Sequence, residues 1–415
     1  MYLATIIDNF GDLFMAKHQA RNFRFKFLLA MLIGILIGGL CSFAYYHFEI
    51  VPRKQQEVEK IRQKYEAELV VQRAQAQRYK NAAKKDNSQE TAYQKEVSTT
   101  EGKTFEQQLE NKGFVGSALI IKNGQIILNK GFGYADANQG RKNGPQTLFQ
   151  IGSIQKGLTA ALLMKLVEQG KVKLSDPVGK YLSGIRTGNQ VTLRMMLDMR
   201  SGFRLSTLQN QVLSDDGIVR WSIENMQYYP QEYSYQPVNF ALLAGVIEKV
   251  SGKSYNELVQ KEIINKIGLY NTGFMPGLLK EPNRAISYTG SGEKAVYTNP
   301  YTQSEVGYNR ELGTGNIYAT TGDLFKMLNG IDQGQVFKKS NLAKLRDRGD
   351  GQYTAGVYNY DTYTMSQGVV GAQAATTAID NSGKNAVVLM SNNILQGMVL
   401  HNYAQPFLET IMKTN

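Results

Sequence analysis

Ser153 and Lys156 stand three residues apart at the head of an apolar run, Ser153-Ile-Gln-Lys-Gly-Leu-Thr-Ala-Ala-Leu-Leu-Met164. The whole chain of 415 residues holds three histidines (His18, His47, His401) and one cysteine, Cys41. A multi-histidine metal site and an intrachain disulfide are therefore excluded, and neither metal nor cofactor is expected. A Ser-His-Asp triad would have to use His401, and no G-x-S-x-G elbow occurs. That scarcity of histidine fits a hydroxyl served by an amine. A spacing of three puts Ser153 and Lys156 on one helical face. The start of a helix presents unpaired N–H groups that favour a developing negative charge. A lysine buried beside a serine, its charged form disfavoured by desolvation, can serve as the base. The competing reading of Ser153 is a simple helix cap. Ser291-Gly-Glu-Lys294 has the same spacing, but it lies in a glycine-rich loop and opens no helix.

Several elements must position this pair. Ser117–Lys122 and Gln125–Lys130 read as strands joined by Asn123-Gly124, a type I′ hairpin signal. A helix is expected from about Ser153 to Gln169, ending at Gly170. Another runs from about Phe240 to Val250, with Asn239 as its cap and Gly252 beyond it. Ala374–Ile379 and Ala386–Met390 read as strands around Asp380-Asn-Ser-Gly383, and a helix from about Ala404 to Lys413 closes the chain. Strands at both ends with helices between predict an α+β domain whose termini meet in one sheet. Trp221 is expected in the core. Asp323 is expected as a cap or a partner of a backbone group, and the tyrosines at 228, 229, 233 and 235 as cleft lining or loop packing.

The N-terminal part is different. Phe27–Tyr46 carries no charge, which matches the roughly 20 residues that cross a hydrocarbon core as a helix. Lys17, Arg21, Arg24 and Lys26 precede it and predict a cytoplasmic N-terminus. No A-x-A cleavage site follows, so a removed signal peptide is disfavoured. The expected organisation is a cytoplasmic segment at 1–26, a transmembrane helix at 27–47, a helical stalk and linker at 48–104, and a catalytic domain at 105–415. Gly34 and Gly38 form a GxxxG pair, a weak dimer signal. The net charge is +12, and residues 105–415 keep 31 Lys+Arg against 24 Asp+Glu. A basic domain outside the cell suits a polyanionic neighbour. The membrane segment argues against nucleic acid.

Residues 113–415 resemble the penicillin-binding proteins and class C β-lactamase-like serine hydrolases. The resemblance rests on ordered segments: the hairpin GSALIIKNGQIILNKGFGYAD, the nucleophile segment LFQIGSIQKGLTA, then LVEQGKVKLSDPVGKYL and VTLRMMLDMRSGF. Tyr235 followed by NFALLAGVIEKVSGKSY, IGLYNTGF and GTGNIYATTGDL complete it. It implies an antiparallel β-sheet flanked by helices with a mostly helical subdomain. It also implies Ser153 as nucleophile, Lys156 as its base and Tyr235 as the hydroxyl that passes the proton to the leaving group. The oxyanion hole would combine the N–H of Ser153 with one from the strand near Gly368 and Val369.

The departures are specific. The usual Tyr-x-Asn is Tyr235-Gln-Pro237. The usual Lys-Thr-Gly or His-x-Gly is best matched by Ser366-Gln-Gly368, which has no cation. Met195 and Met199 replace two histidines common in the family. A D-alanyl-D-alanine peptide ends in a carboxylate that such a cation would hold. A D-alanyl ester on teichoic acid offers an ammonium group instead. The sequence therefore points to a membrane-anchored extracellular esterase that removes D-alanine from lipoteichoic acid through an acyl-serine. Two alternatives stay open: a D-alanyl-D-alanine carboxypeptidase on peptidoglycan stem peptides, in which Ser366 donates to the carboxylate, and a non-catalytic binder of the cell wall.

Overall fold

The computed structural model describes residues 28, 30–83, 88–230, 233–290, 294–346, 352–394 and 399–413. The basic residues expected to orient the N-terminus (Lys17, Arg21, Arg24 and Lys26) and Ser291 of the second Ser-x-x-Lys lie outside them. The chain divides into two units, one ending at Lys64 and one beginning at Tyr65. In the first, among the described residues, one helix over Ala30–Lys64 is long and apolar enough to cross a membrane by length and composition.

The second unit is built on an eight-stranded sheet. Its strands are β1 (Val97–Ser98), β2 (Gly116–Lys122), β3 (Gln125–Phe132), β4 (Gln352–Thr354), β5 (Val357–Asn359), β6 (Tyr363–Val370), β7 (Gln373–Asp380) and β8 (Ala386–Ser391). Their order is β1-β3-β2-β8-β7-β6-β5-β4, antiparallel at every pairing. The β2–β3 turn has φ of 51° at Asn123 and 78° at Gly124. Both angles are positive, as a type I′ turn requires. The β7–β8 turn is held by Asp380, whose Oδ1 accepts from the N–H groups of Lys384 (3.0 Å) and Asn385 (3.1 Å). β8 pairs with β2, Leu389 opposite Ala118, so the two ends of the domain meet in one sheet.

Alternation decides which residues face which layer. Leu119, Ile121, Val388 and Met390 face a core shared with helices α2 (Gln155–Glu168) and α5 (Thr321–Asp332). Ala118, Ile120, Val387 and Leu389 face the opposite layer, where α1 (Gly102–Asn111) supplies Phe105 and Leu109 and α6 (His401–Lys413) supplies Phe407, Leu408 and Ile411. Burial on both faces explains why the central strands read as unbroken apolar runs. α2 is buried all round, from Gln155 through Met164, which makes it the central helix of the domain. The mostly helical region includes α3 (Asp215–Asn225) and α4 (Val238–Ser251).

Several local expectations are corrected. α2 starts at Gln155, after a 3-10 turn over Gly152–Ile154, so Ser153 precedes the helix proper. α4 starts at Val238 with Pro237 at the cap position, because proline fixes the φ that a first turn needs. Asn239 is therefore inside the first turn and caps nothing. α6 starts at His401, three residues before the expected Ala404. Trp221 is half-buried on α3 and is not a core residue. The described part of the expected linker carries structure of its own. Ser88–Gln94 is helical, Val97–Ser98 is the edge strand β1, and Asn129 Nδ2 on β3 donates to the carbonyls of Tyr93 (3.0 Å) and Lys95 (2.9 Å). Polar composition hid this segment because it contributes backbone groups and one aromatic ring, Tyr93, which meets Phe325 at 6.1 Å.

Candidate active site

Lys156 lies on the first turn of α2 and is completely buried. Its Nζ donates to Ser153 Oγ at 2.8 Å and to the Thr314 carbonyl at 3.4 Å. The Ser153 hydroxyl thus meets the lysine. The helix that follows has no side-chain cap bond, so the competing reading of Ser153 as a cap does not hold. Tyr235 faces the lysine, with the centre of its ring 5.3 Å from Lys156 Nζ. Sequence-distant elements thereby bring Ser153, Lys156 and Tyr235 together.

The loop that carries Tyr235 is anchored from below. The Ser234 N–H donates to the Met199 carbonyl at 2.9 Å, and the Gln236 N–H reaches Met199 Sδ at 3.4 Å. Met199, in place of a histidine common in the family, is buried and has φ of 55°. Asn239 Nδ2 donates to the Gln236 carbonyl at 3.0 Å, while its buried Oδ1 has no hydrogen-bond partner. Behind Tyr235 sits Tyr353 on β4, their rings 5.4 Å apart and edge-to-face, with Tyr358 of β5 a further 5.2 Å on. Burial first, then Tyr235, pushes the Tyr353 hydroxyl well above its ordinary pKa. Burial also raises Tyr233 to about 12. These phenols stay protonated at neutral pH.

β6 closes the other side. A Cβ on Gly368 would lie 2.1 Å from the Ile151 carbonyl oxygen and 2.7 Å from Ser153 N. A Cβ on Gly152 would lie 2.9 Å from Val369 N. Only two glycines let these backbones approach, and Gly152 also needs its positive φ of 52°. The backbone N–H groups of Ser153 and Val369 therefore flank one junction. Ser366 shares the Gly368 face of β6 by alternation and is buried, whereas the Val369 side chain points away and is exposed. His401 Nδ1 lies 2.9 Å from Gln367 Oε1 on the opposite face, which removes it from any serine-histidine arrangement.

The tyrosine cluster divides. Tyr235 faces Lys156, while Tyr228 lines a separate cleft of about 930 Å3 among Tyr181, Arg186, Phe203, Arg220 and Lys249. Asp323 accepts from Asn271 N at 2.6 Å and Thr272 Oγ1 at 3.0 Å, the backbone-partner role expected of it. Sequence reading missed Thr314 and Tyr353. Thr314 acts through a carbonyl, which no side-chain pattern reports. Tyr353 lies in a chain with 24 tyrosines, where one more carries no signal.

The β-lactamase family model matches residues 102–397. The chain belongs to the β-lactamase and penicillin-binding protein family. It is 30% identical over 335 residues to the putative penicillin-binding protein PbpX of Bacillus subtilis (strain 168), covering 76% of this chain and 84% of that protein. It is 32% identical over 267 residues to the teichoic acid D-alanine hydrolase of Staphylococcus aureus (strain MRSA252), covering 63% of this chain and 65% of that protein. Among solved structures it resembles FmtA from Staphylococcus aureus, with TM-score 0.68 and 28% identity over 77% of this chain and 90% of that one. The D-amino acid amidase of Ochrobactrum anthropi SV3 shares the fold, with TM-score 0.62 and 19% identity over 78% of this chain and 98% of that one. The Bacillus and Staphylococcus relatives support a serine hydrolase of the family.

Proposed function

We propose that this protein is a membrane-anchored extracellular esterase that removes D-alanine from lipoteichoic acid. The observation that carries the chemistry is the 2.8 Å contact between Ser153 Oγ and the buried Lys156 Nζ. In the proposed reaction Lys156 takes the Ser153 proton as Oγ attacks the D-alanyl carbonyl. The backbone N–H groups of Ser153 and Val369 hold the oxyanion. Tyr235 passes a proton to the polyol oxygen as the ester C–O bond breaks, leaving D-alanyl-Ser153. Water, deprotonated through the same groups, then releases D-alanine. Residues 27–47 would anchor the chain in the membrane, with Gly34 and Gly38 available for helix pairing, and residues 105–415 would work outside the cell.

The choice of ester rests on β6. Ser366-Gln-Gly368 supplies no cation for a substrate carboxylate, and a D-alanyl ester needs none. The relatives named teichoic acid D-alanine hydrolases agree with this. The buried Ser366, on the Gly368 face, favours a second reading as a D-alanyl-D-alanine carboxypeptidase, since its hydroxyl can donate to a carboxylate. D-alanine release from D-alanylated lipoteichoic acid and from a peptide ending in D-alanyl-D-alanine separates the two. The esterase reading expects release from the polymer alone, lost in Ser153→Ala. Release from the peptide alone gives the carboxypeptidase. Silence on both with a folded enzyme returns the wall-binding alternative.

A further inference from the structure

Glu311 is linked to Lys156 through a single residue, Thr314. It begins a tight turn in which the N–H groups of Thr314 (3.0 Å) and Gly315 (3.1 Å) both donate to its carbonyl. The Thr314 hydroxyl donates to Glu311 Oε2 at 2.7 Å, while the Thr314 carbonyl accepts from Lys156 Nζ at 3.4 Å. One residue thus touches both the candidate base and the carboxylate. A Cβ on Gly315 would lie 3.0 Å from Glu311 Oε2 and 3.5 Å from Gly152 Cα. Glycine at 315 leaves open the space between the carboxylate and the residue before Ser153. Glu311 Oε1 lies 3.9 Å from Arg310 Nε, an ion-pair distance too long for a hydrogen bond, and a quarter of the Glu311 side chain meets solvent.

We propose that Glu311 forms an ammonium subsite beside Ser153 and selects acyl donors that carry a free α-amino group. This deepens the esterase reading and rests on it. In an aminoacyl-serine the amino nitrogen is three bonds from Oγ, so it must lie close to the nucleophile. An α-amino group is largely protonated at neutral pH, its ordinary pKa being about 7.7–8.0. A carboxylate against it forms a charge-assisted hydrogen bond. The scissile D-alanine of a stem peptide has an amide nitrogen there and gains no ion pair. Glu311 would therefore do by attraction at the acyl side what the cation missing from β6 would do at a substrate carboxylate.

The test compares two synthetic glycerol esters, D-alanyl and propionyl, which differ in the amino group and in little else. kcat/KM is measured on the full chain and on Glu311→Gln, which keeps an oxygen for the Thr314 hydroxyl. The expected result is a loss of roughly ten- to hundredfold on the D-alanyl ester, the usual cost of a lost charged hydrogen bond, with the propionyl ester within about twofold. Glu311→Asp should recover part of the loss, and it gives a second chance should the glutamine variant fail to fold. Equal losses on both esters would make Glu311 a support of its turn and overturn the subsite. No loss on either would overturn it as well. A native enzyme that cleaves neither ester would remove the esterase reading and the subsite together.

Discussion

Lys156 illustrates how a functional group is held against its own preference. An amine sealed in apolar surroundings costs stability unless its donors are matched, and here they meet one hydroxyl and one carbonyl. Lys156→Met should therefore leave the fold intact or raise its urea midpoint. The same change should lower D-alanine release by about a thousandfold or more if the lysine is the base. A variant that keeps its activity would contradict the assignment. Tyr353 makes a parallel case. Its hydroxyl is buried without a hydrogen bond of ordinary geometry, although the Tyr235 side chain acts on it, and an unsatisfied buried group costs about 1–3 kcal/mol. Tyr353→Phe should keep or gain stability in a denaturant titration, and a loss above about 1 kcal/mol would show that the hydroxyl has a stabilising role. At this scale the sequence was legible where side chains meet through a spaced motif, as Ser153 and Lys156 do. It was silent where a backbone carbonyl acts, as at Thr314. Asn239 was misjudged because a cap preference and a buried first-turn amide look alike in sequence.

Elements decide whether those residues meet. β6 must press against the turn that carries Ser153, and the contact leaves no space for a methyl group at Gly368. Gly368→Ala should push β6 away from Ile151–Ser153. We expect a fall in kcat of about a hundredfold or more, the scale set by losing one oxyanion donor. Circular dichroism should stay unchanged, because the sheet keeps its other pairings. Unchanged turnover would mean that the N–H groups of Ser153 and Val369 are not the oxyanion donors. The hairpins were legible because Asn-Gly and Asp-Asn-Ser-Gly turns are local signals. β4 and β5 were not, since three-residue strands whose register is set by neighbours leave no periodicity. Residues 88–98 escaped for the same reason. Their fold comes from contacts with Asn129 and Phe325, far away in the chain.

Across the whole molecule, chain ends and charge matter most. β2 and β8 join the domain's two termini at the centre of the sheet, so Leu389→Ala should cost about 2–5 kcal/mol in a two-state titration. A cost below about 1 kcal/mol would contradict a closed central sheet. Acid stability has a separate source in Asp176. The Tyr181 hydroxyl, then the Lys173 N–H and Lys180, lower its pKa from 3.8 to about 2. A carboxylate depressed in the folded state stabilises it above the unfolded pKa, and that stabilisation is lost as pH falls through the folded one. Asp176→Asn should therefore be less stable than the native chain at pH 5, with the gap closing between about pH 4 and pH 2. A gap that persists below pH 2 would assign the effect to something other than ionisation. The overall α+β organisation was legible from strands at both ends of the domain. The apolar segment near the N-terminus was legible from its lack of charge.

Acylation of Ser153 by a D-alanyl ester is the step that the proposed esterase cannot do without. Native protein is mixed with D-alanylated lipoteichoic acid, quenched in acid within the first turnovers, and its peptides are mapped by mass spectrometry. A D-alanyl group is expected on the peptide containing Ser153, absent in Ser153→Ala and depleted as turnover completes. D-alanine release without any adduct on that peptide, or with an adduct on another residue, would contradict acylation of Ser153.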